Sequence, residues 1–166
     1  MGRPKYIFFV RHGTYDESTG NLDRHGVLAT ELMVERIKKD FLGNLSSRIL
    51  YSPATRTTQT AEIYARILGV NSDNCLSDKI LKEIGNSPDE LEKVVCVLNQ
   101  DINRGLADAY FFITHENTAV EVTHHMRELN FNKETGIDMM GFSWAYLIDL
   151  EKNGDLHILQ SKFIKE

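Results

Sequence analysis

The sequence predicts an α/β layer structure built on one mixed sheet. Three observations carry this. Short apolar runs rich in β-branched and aromatic residues recur at 6–10, 48–51 and 109–113. A segment with helical apolar spacing follows each of them. Two strand-like runs near the end flank Asn153-Gly154, a strong hairpin signal. The predicted order is β-α-β-α-(β)-α-β-α-β-β, with the whole chain, 1–166, read as a single domain.

The first run, Tyr6-Ile7-Phe8-Phe9-Val10, follows Pro4 and ends abruptly in Arg11-His12-Gly13. Gly13 is expected to let the backbone turn sharply and approach a ligand closely. Residues 14–25 are polar and turn-rich, which predicts a surface loop. Asp23 reads as the cap of a helix with Val27, Leu28, Leu32, Val34 and Ile37 on its apolar side, ended by Gly43-Asn44. The run 48–51 is broken by Ser52-Pro53, and a helix is expected over 55–68 with Gly69 as its C-terminal cap. Residues 71–86 read as irregular, with a short strand near Cys75-Leu76. Ser87-Pro88-Asp89-Glu90 opens the next helix: a serine cap, a proline in the first turn and acids at the positive helix end. The run 109–113 ends in Thr114-His115-Glu116-Asn117, with a helix expected over 118–129 and an irregular stretch over 130–142.

Bulk properties narrow the function. The chain has 166 residues, 42% hydrophobic and 26% charged, enough for a real core. Its net charge of −5 argues against broad binding to a nucleic-acid backbone but permits a local basic pocket. No apolar run approaches the roughly 18–20 residues of a membrane span, so no membrane partner is expected. The start, Met1-Gly2-Arg3-Pro4-Lys5, does not read as a signal peptide. Cys75 and Cys96 have no metal-ligand spacing and read as free thiols of a reducing cytoplasm.

The three main strands end in side chains of one chemical kind. The first gives Arg11 and His12. The second leads to Arg56 in the first turn of its helix, and the third gives His115. Parallel neighbouring strands would gather these groups at one sheet edge, where α/β proteins bind ligands. Arginine offers a rigid fork of donors suited to phosphate, and helix N-termini add backbone donors. A neutral histidine nitrogen can attack phosphorus. The other histidines read as structural or surface residues: His25 at a helix start, His124 and His125 on the last helix, and His157 on the solvent face of a strand. Trp144 reads as packing, and Arg66 and Arg104 as surface.

On these residues the chain resembles the histidine phosphatase superfamily. The strand ending in Arg11-His12-Gly13 matches its first block. Ser52-Pro53-Ala54-Thr55-Arg56-Thr57-Thr58-Gln59-Thr60-Ala61 matches the second, and Ile113-Thr114-His115 the third. The chain is most similar to the short phosphohistidine phosphatases, through its length and the stretch 86–91. The resemblance implies a three-layer α/β/α fold, phosphoglycerate mutase-like, with a mostly parallel mixed sheet. It implies a metal-independent phosphatase with no cofactor and a phosphorylated small molecule or protein as substrate. His12 would be the nucleophile, with Arg11, Arg56 and His115 on the phosphoryl oxygens. For the proton donor the resemblance points to Glu83 in Leu81-Lys82-Glu83, or to Glu116 beside the second histidine; Asp16, or no acid at all, completes the alternatives. Thr14, Asp23 and Thr114 stand where the family usually has glutamate, threonine and glycine. Two other functions stay open: a non-catalytic module that binds a phosphorylated ligand, and a phosphoglycerate mutase-type phosphotransferase. Oligomeric state is not legible.

Overall fold

In order along the chain, the strands are β1 (Tyr6–Arg11), β2 (Ser47–Tyr51), β3 (Cys75–Ser77), β4 (Ala109–Thr114), β5 (Ala145–Asp149) and β6 (Asp155–Leu159). The α-helices among them are α1 (Arg24–Ile37), α2 (Thr55–Leu68), α3 (Pro88–Asn103) and α4 (Glu116–Phe131). This computed structural model describes residues 3–85 and 87–161. Met1 and Gly2 of the N-terminal run, Asn86 of the 86–91 stretch and residues 162–166 lie outside the described residues.

The sheet order is β3-β2-β4-β1-β5-β6. β3, β2, β4 and β1 run parallel, and β5 lies antiparallel to both β1 and β6. The alternation of strand side chains builds two cores. Ile7, Phe9, Tyr110, Phe112 and Tyr146 face α3 and α4. Phe8, Val10, Ile49, Phe111 and Leu147 face α1 and α2, with Phe8 and Phe111 stacked at 4.5 Å. This is the expected three-layer α/β/α arrangement with a mixed, mostly parallel sheet. The central strands are apolar throughout because both their faces are covered.

The helix ends follow local chemistry. The Asp23 carboxylate accepts from the Gly26 N–H at 2.7 Å, and Ser87 caps α3. Gly69 takes the left-handed conformation (φ 69°) that ends α2. Several expectations shift. Leu28 and Leu32, expected on the apolar side of α1, are exposed. α1 passes into one wider π-helical turn, Lys38–Leu42, before Gly43 stops it. α4 begins at Glu116, not 118, so His115 itself is its N-cap residue. His157 is half-buried rather than on the solvent face, because Phe41 reaches across to within 6.1 Å of its ring.

The register levels the strand ends. Arg11 pairs with Thr114, and Tyr51 with Ile113. The ladder runs one step further through His12 N–H to Thr114 O at 3.3 Å and Ser52 N–H to Ile113 O at 3.0 Å. His12, Ser52 and His115 therefore emerge side by side at the carboxyl edge.

Candidate active site

The structure brings Arg11, His12, Arg56 and His115 together. His12 and His115 are both buried, with ring centroids 5.4 Å apart. The His12 Nδ1–H donates to the Gly13 carbonyl at 2.9 Å, which leaves Nε2 with its lone pair. Nε–H of Arg56 donates to that Nε2 at 3.1 Å, and Nη2 of Arg56 lies 3.4 Å from Nδ1 of His115. The His115 Nε2 sits 3.0 Å from the Ser52 hydroxyl. Burial, helped by the nearby arginines, pushes His12 down to about 3 and His115 down to about 4, so both rings are neutral near pH 7.

The second sequence block builds the frame around Arg56. The Thr57 hydroxyl donates to the carbonyls of Ser52 and Ala54, clamping the turn that launches α2. Thr60 donates to the Arg56 carbonyl at 2.8 Å, and its hydroxyl also accepts from the Gly13 N–H at 3.3 Å. Gln59 holds the 14–22 loop at the Leu22 N–H and the Asn21 side chain. That loop brings the Tyr15 ring beneath the Arg56 guanidinium at 4.7 Å.

Arg11 is held differently. It stacks over the Phe142 ring at 3.8 Å, donates to the Met140 carbonyl at 2.6 Å and pairs with Glu116. Its buried Nε–H has no acceptor among the described residues. Glu116 is therefore committed to Arg11. Glu83 is exposed on the His115 side of the site, where its charge pulls the His115 pKa upward against burial. Asp16 is turned into its own surface loop, accepting from the Ser18 N–H at 2.8 Å.

Gly13 has a close protein neighbour, and its φ is not left-handed. A Cβ at Gly13 would lie 2.7 Å from the Gly26 carbonyl oxygen, and one at Gly26 would lie 2.1 Å from the Thr14 carbonyl oxygen. The two glycines let the first turn of α1 press directly on the turn after β1. Thr14 secures the contact by donating to the capping Asp23 at 2.6 Å. Thr114, the residue before His115, donates to the Leu81 carbonyl.

Sequence reasoning missed Tyr15, Phe142 and the pairing of Glu116 with Arg11. A cavity of about 640 Å³, lined by Arg3, Ile7 and Leu150 among others, lies at the opposite edge of the sheet and takes no part in this site.

No protein-family model and no curated protein sequence matches the chain. Solved structures match closely in fold. A mycobacterial glucosyl-3-phosphoglycerate phosphatase complexed with VO3 aligns with a TM-score of 0.72 at 12% identity, covering 95% of this chain and 100% of that one. The protein histidine phosphatase SixA complexed with tungstate aligns at 0.69 and 21% identity, over 93% and 94% of the two chains. An ecdysone phosphate phosphatase from Bombyx mori, also with tungstate, gives 0.66 and 13%, over 94% and 92%. The chain thus has the phosphoglycerate mutase-like fold.

Proposed function

We propose that the chain is a metal-independent phosphatase that hydrolyses a phosphomonoester or phosphohistidine through a phosphohistidine on Nε2 of His12. One observation carries this reading: a buried, neutral histidine whose Nδ1–H is held by a carbonyl and whose bare Nε2 faces the Arg56 guanidinium. The three structural neighbours, each a phosphatase by name and each bound to an oxyanion, support it.

In the first step the Nε2 lone pair attacks phosphorus in line, and the bond to the leaving group breaks with its electron pair. The ring becomes a cation, which the Gly13 carbonyl stabilises through Nδ1–H. Arg11, Arg56 and His115 donate to the nonbridging oxygens. The α2 and α4 N-termini point the same way. Glu83 gives a proton to the leaving oxygen. Water then attacks phosphorus, the P–N bond breaks, its electrons return to Nε2, and Glu83 takes the proton from water. A protonated imidazole leaves without help, so phosphohistidine needs Glu83 least.

The test follows hydrolysis of an aryl phosphate and of a phosphohistidine protein, with EDTA present, by wild type and His12→Ala. Turnover that survives EDTA and falls at least a thousandfold, on the order of a lost nucleophile, in His12→Ala is the expected result. His12→Ala retaining wild-type turnover would overturn the mechanism. Binding of tungstate without turnover would point instead to a phospho-ligand-binding module.

A further inference from the structure

Next to the catalytic edge lies a cavity of about 570 Å³. Pro53, Ile80, Ile84 and Val94 give it an apolar lining, and Lys79, Lys82 and Lys93 stand around it with one acid, Glu90. All three lysines are exposed, and none is ion-paired among the described residues. Glu90 is engaged elsewhere, accepting from the Gly85 N–H at 3.3 Å. In a chain of net charge −5 this is a local excess of positive charge over an apolar surface.

The cavity borders the site through chain neighbours of the site residues: its lining includes Pro53, Lys82 and Ile84 and none of His12, Arg56, Glu83 or His115. Pro53 stands between Ser52, the partner of His115, and Arg56. Lys82 and Ile84 flank Glu83. Two fully buried threonines fix this wall. Thr114 donates to the Leu81 carbonyl, while Thr118 donates to the Lys82 carbonyl at 2.9 Å and accepts from the Ile84 N–H at 3.1 Å. The wall is therefore built into β4 and α4 and does not depend on a floppy loop.

We propose that this cavity receives the leaving-group half of the substrate: a small molecule with an apolar body and a second anionic group, a carboxylate or a second phosphate, several bonds from the phosphoryl group. The proposal rests on the phosphatase reading. The apolar lining accepts the body, and the lysines attract and orient the second charge. The volume is that of a small-molecule pocket, which favours a small ester over a protein segment.

The experiment compares phenyl phosphate, 4-carboxyphenyl phosphate and an acidic phosphopeptide, alongside binding of phenylphosphonate and 4-carboxyphenylphosphonate by calorimetry. It uses wild type, the triple variant Lys79→Ala/Lys82→Ala/Lys93→Ala, and Lys82→Glu. The carboxylate should raise kcat/KM and phosphonate affinity about tenfold in wild type, an advantage that shrinks with added salt. The triple variant should bring that ratio to about one, and Lys82→Glu should push it lower. Turnover of both esters with no carboxylate preference, or a preference that survives in the triple variant, overturns the cavity assignment alone. Lysine-dependent phosphonate binding with no turnover of either ester, of the peptide or of a phosphohistidine protein keeps the cavity and overturns the phosphatase reading. A lysine-dependent preference for the peptide over both small esters overturns the small-molecule assignment.

Discussion

Neutral histidines in a buried pocket are costly as the solution turns acid. His12 and His115 titrate near 3 and 4 in the folded chain, below the ordinary 6.5 of the unfolded one. Between these values the unfolded chain binds more protons, so stability is full above about pH 6.5 and is lost as pH falls toward 4 and 3. At pH 5 each ring should remove about 2 kcal/mol. Urea unfolding at pH 7 and pH 5 checks this: His12→Gln should roughly halve the pH dependence, and tungstate, which favours the protonated rings, should restore stability. The two carboxylates near the site are separated by their contacts. Glu83→Gln should slow an alkyl phosphate about a hundredfold and phosphohistidine far less, the pattern of a lost proton donor. Glu116→Gln should act through Arg11, raising KM several-fold on every substrate with kcat less affected. Steady-state kinetics on the two substrate types separate the roles. The two histidines and two arginines were legible in the sequence because each directly ends a strand or starts a helix. The Arg11–Glu116 pair was not, since its partners are 105 residues apart and meet only after β1 and β4 align.

At the scale of elements, the best-read features were those whose cause is local. Asp23 before α1, Ser87-Pro88 at the start of α3 and Gly69 after α2 each act within a turn of where they stand. Asp23 does more than cap, since one oxygen serves both the Gly26 N–H and the Thr14 hydroxyl. Asp23→Ala should cost about 1 kcal/mol in urea unfolding, with Asp23→Ser recovering most of it. The sequence left 130–142 irregular; α4 runs on to Phe131, and the strap over 132–142 has no regular structure. Its order comes instead from distant polar anchors. Arg127 donates to the Glu134 carbonyl and the Thr135 hydroxyl, His124 meets the Ile137 carbonyl, and Tyr146 donates to the Met139 carbonyl. These contacts deliver Met140 and Phe142 to Arg11. No periodicity announces such a segment, because its partners sit on two other elements.

For the whole molecule, strand burial made the layer order readable, while the side-chain ties between layers were not. Arg48 opens the second apolar run, yet its guanidinium is buried and holds Asp101 of α3 through two hydrogen bonds of 2.8 and 2.9 Å. Asp101→Ala leaves that charge uncompensated and should cost about 3–5 kcal/mol, whereas the paired change Arg48→Met/Asp101→Leu should cost much less. Thermal unfolding of the three proteins gives the comparison. The backbone contact between Gly13 and Gly26 constrains the chain in another way. Each would-be methyl group meets main-chain atoms, and the opposing residue is already the smallest available. A selection for suppressors of Gly13→Ala or Gly26→Ala should thus return reversions to glycine, with no compensating change at the other member of the pair: the two positions are locked together, leaving mutation no intermediate to pass through.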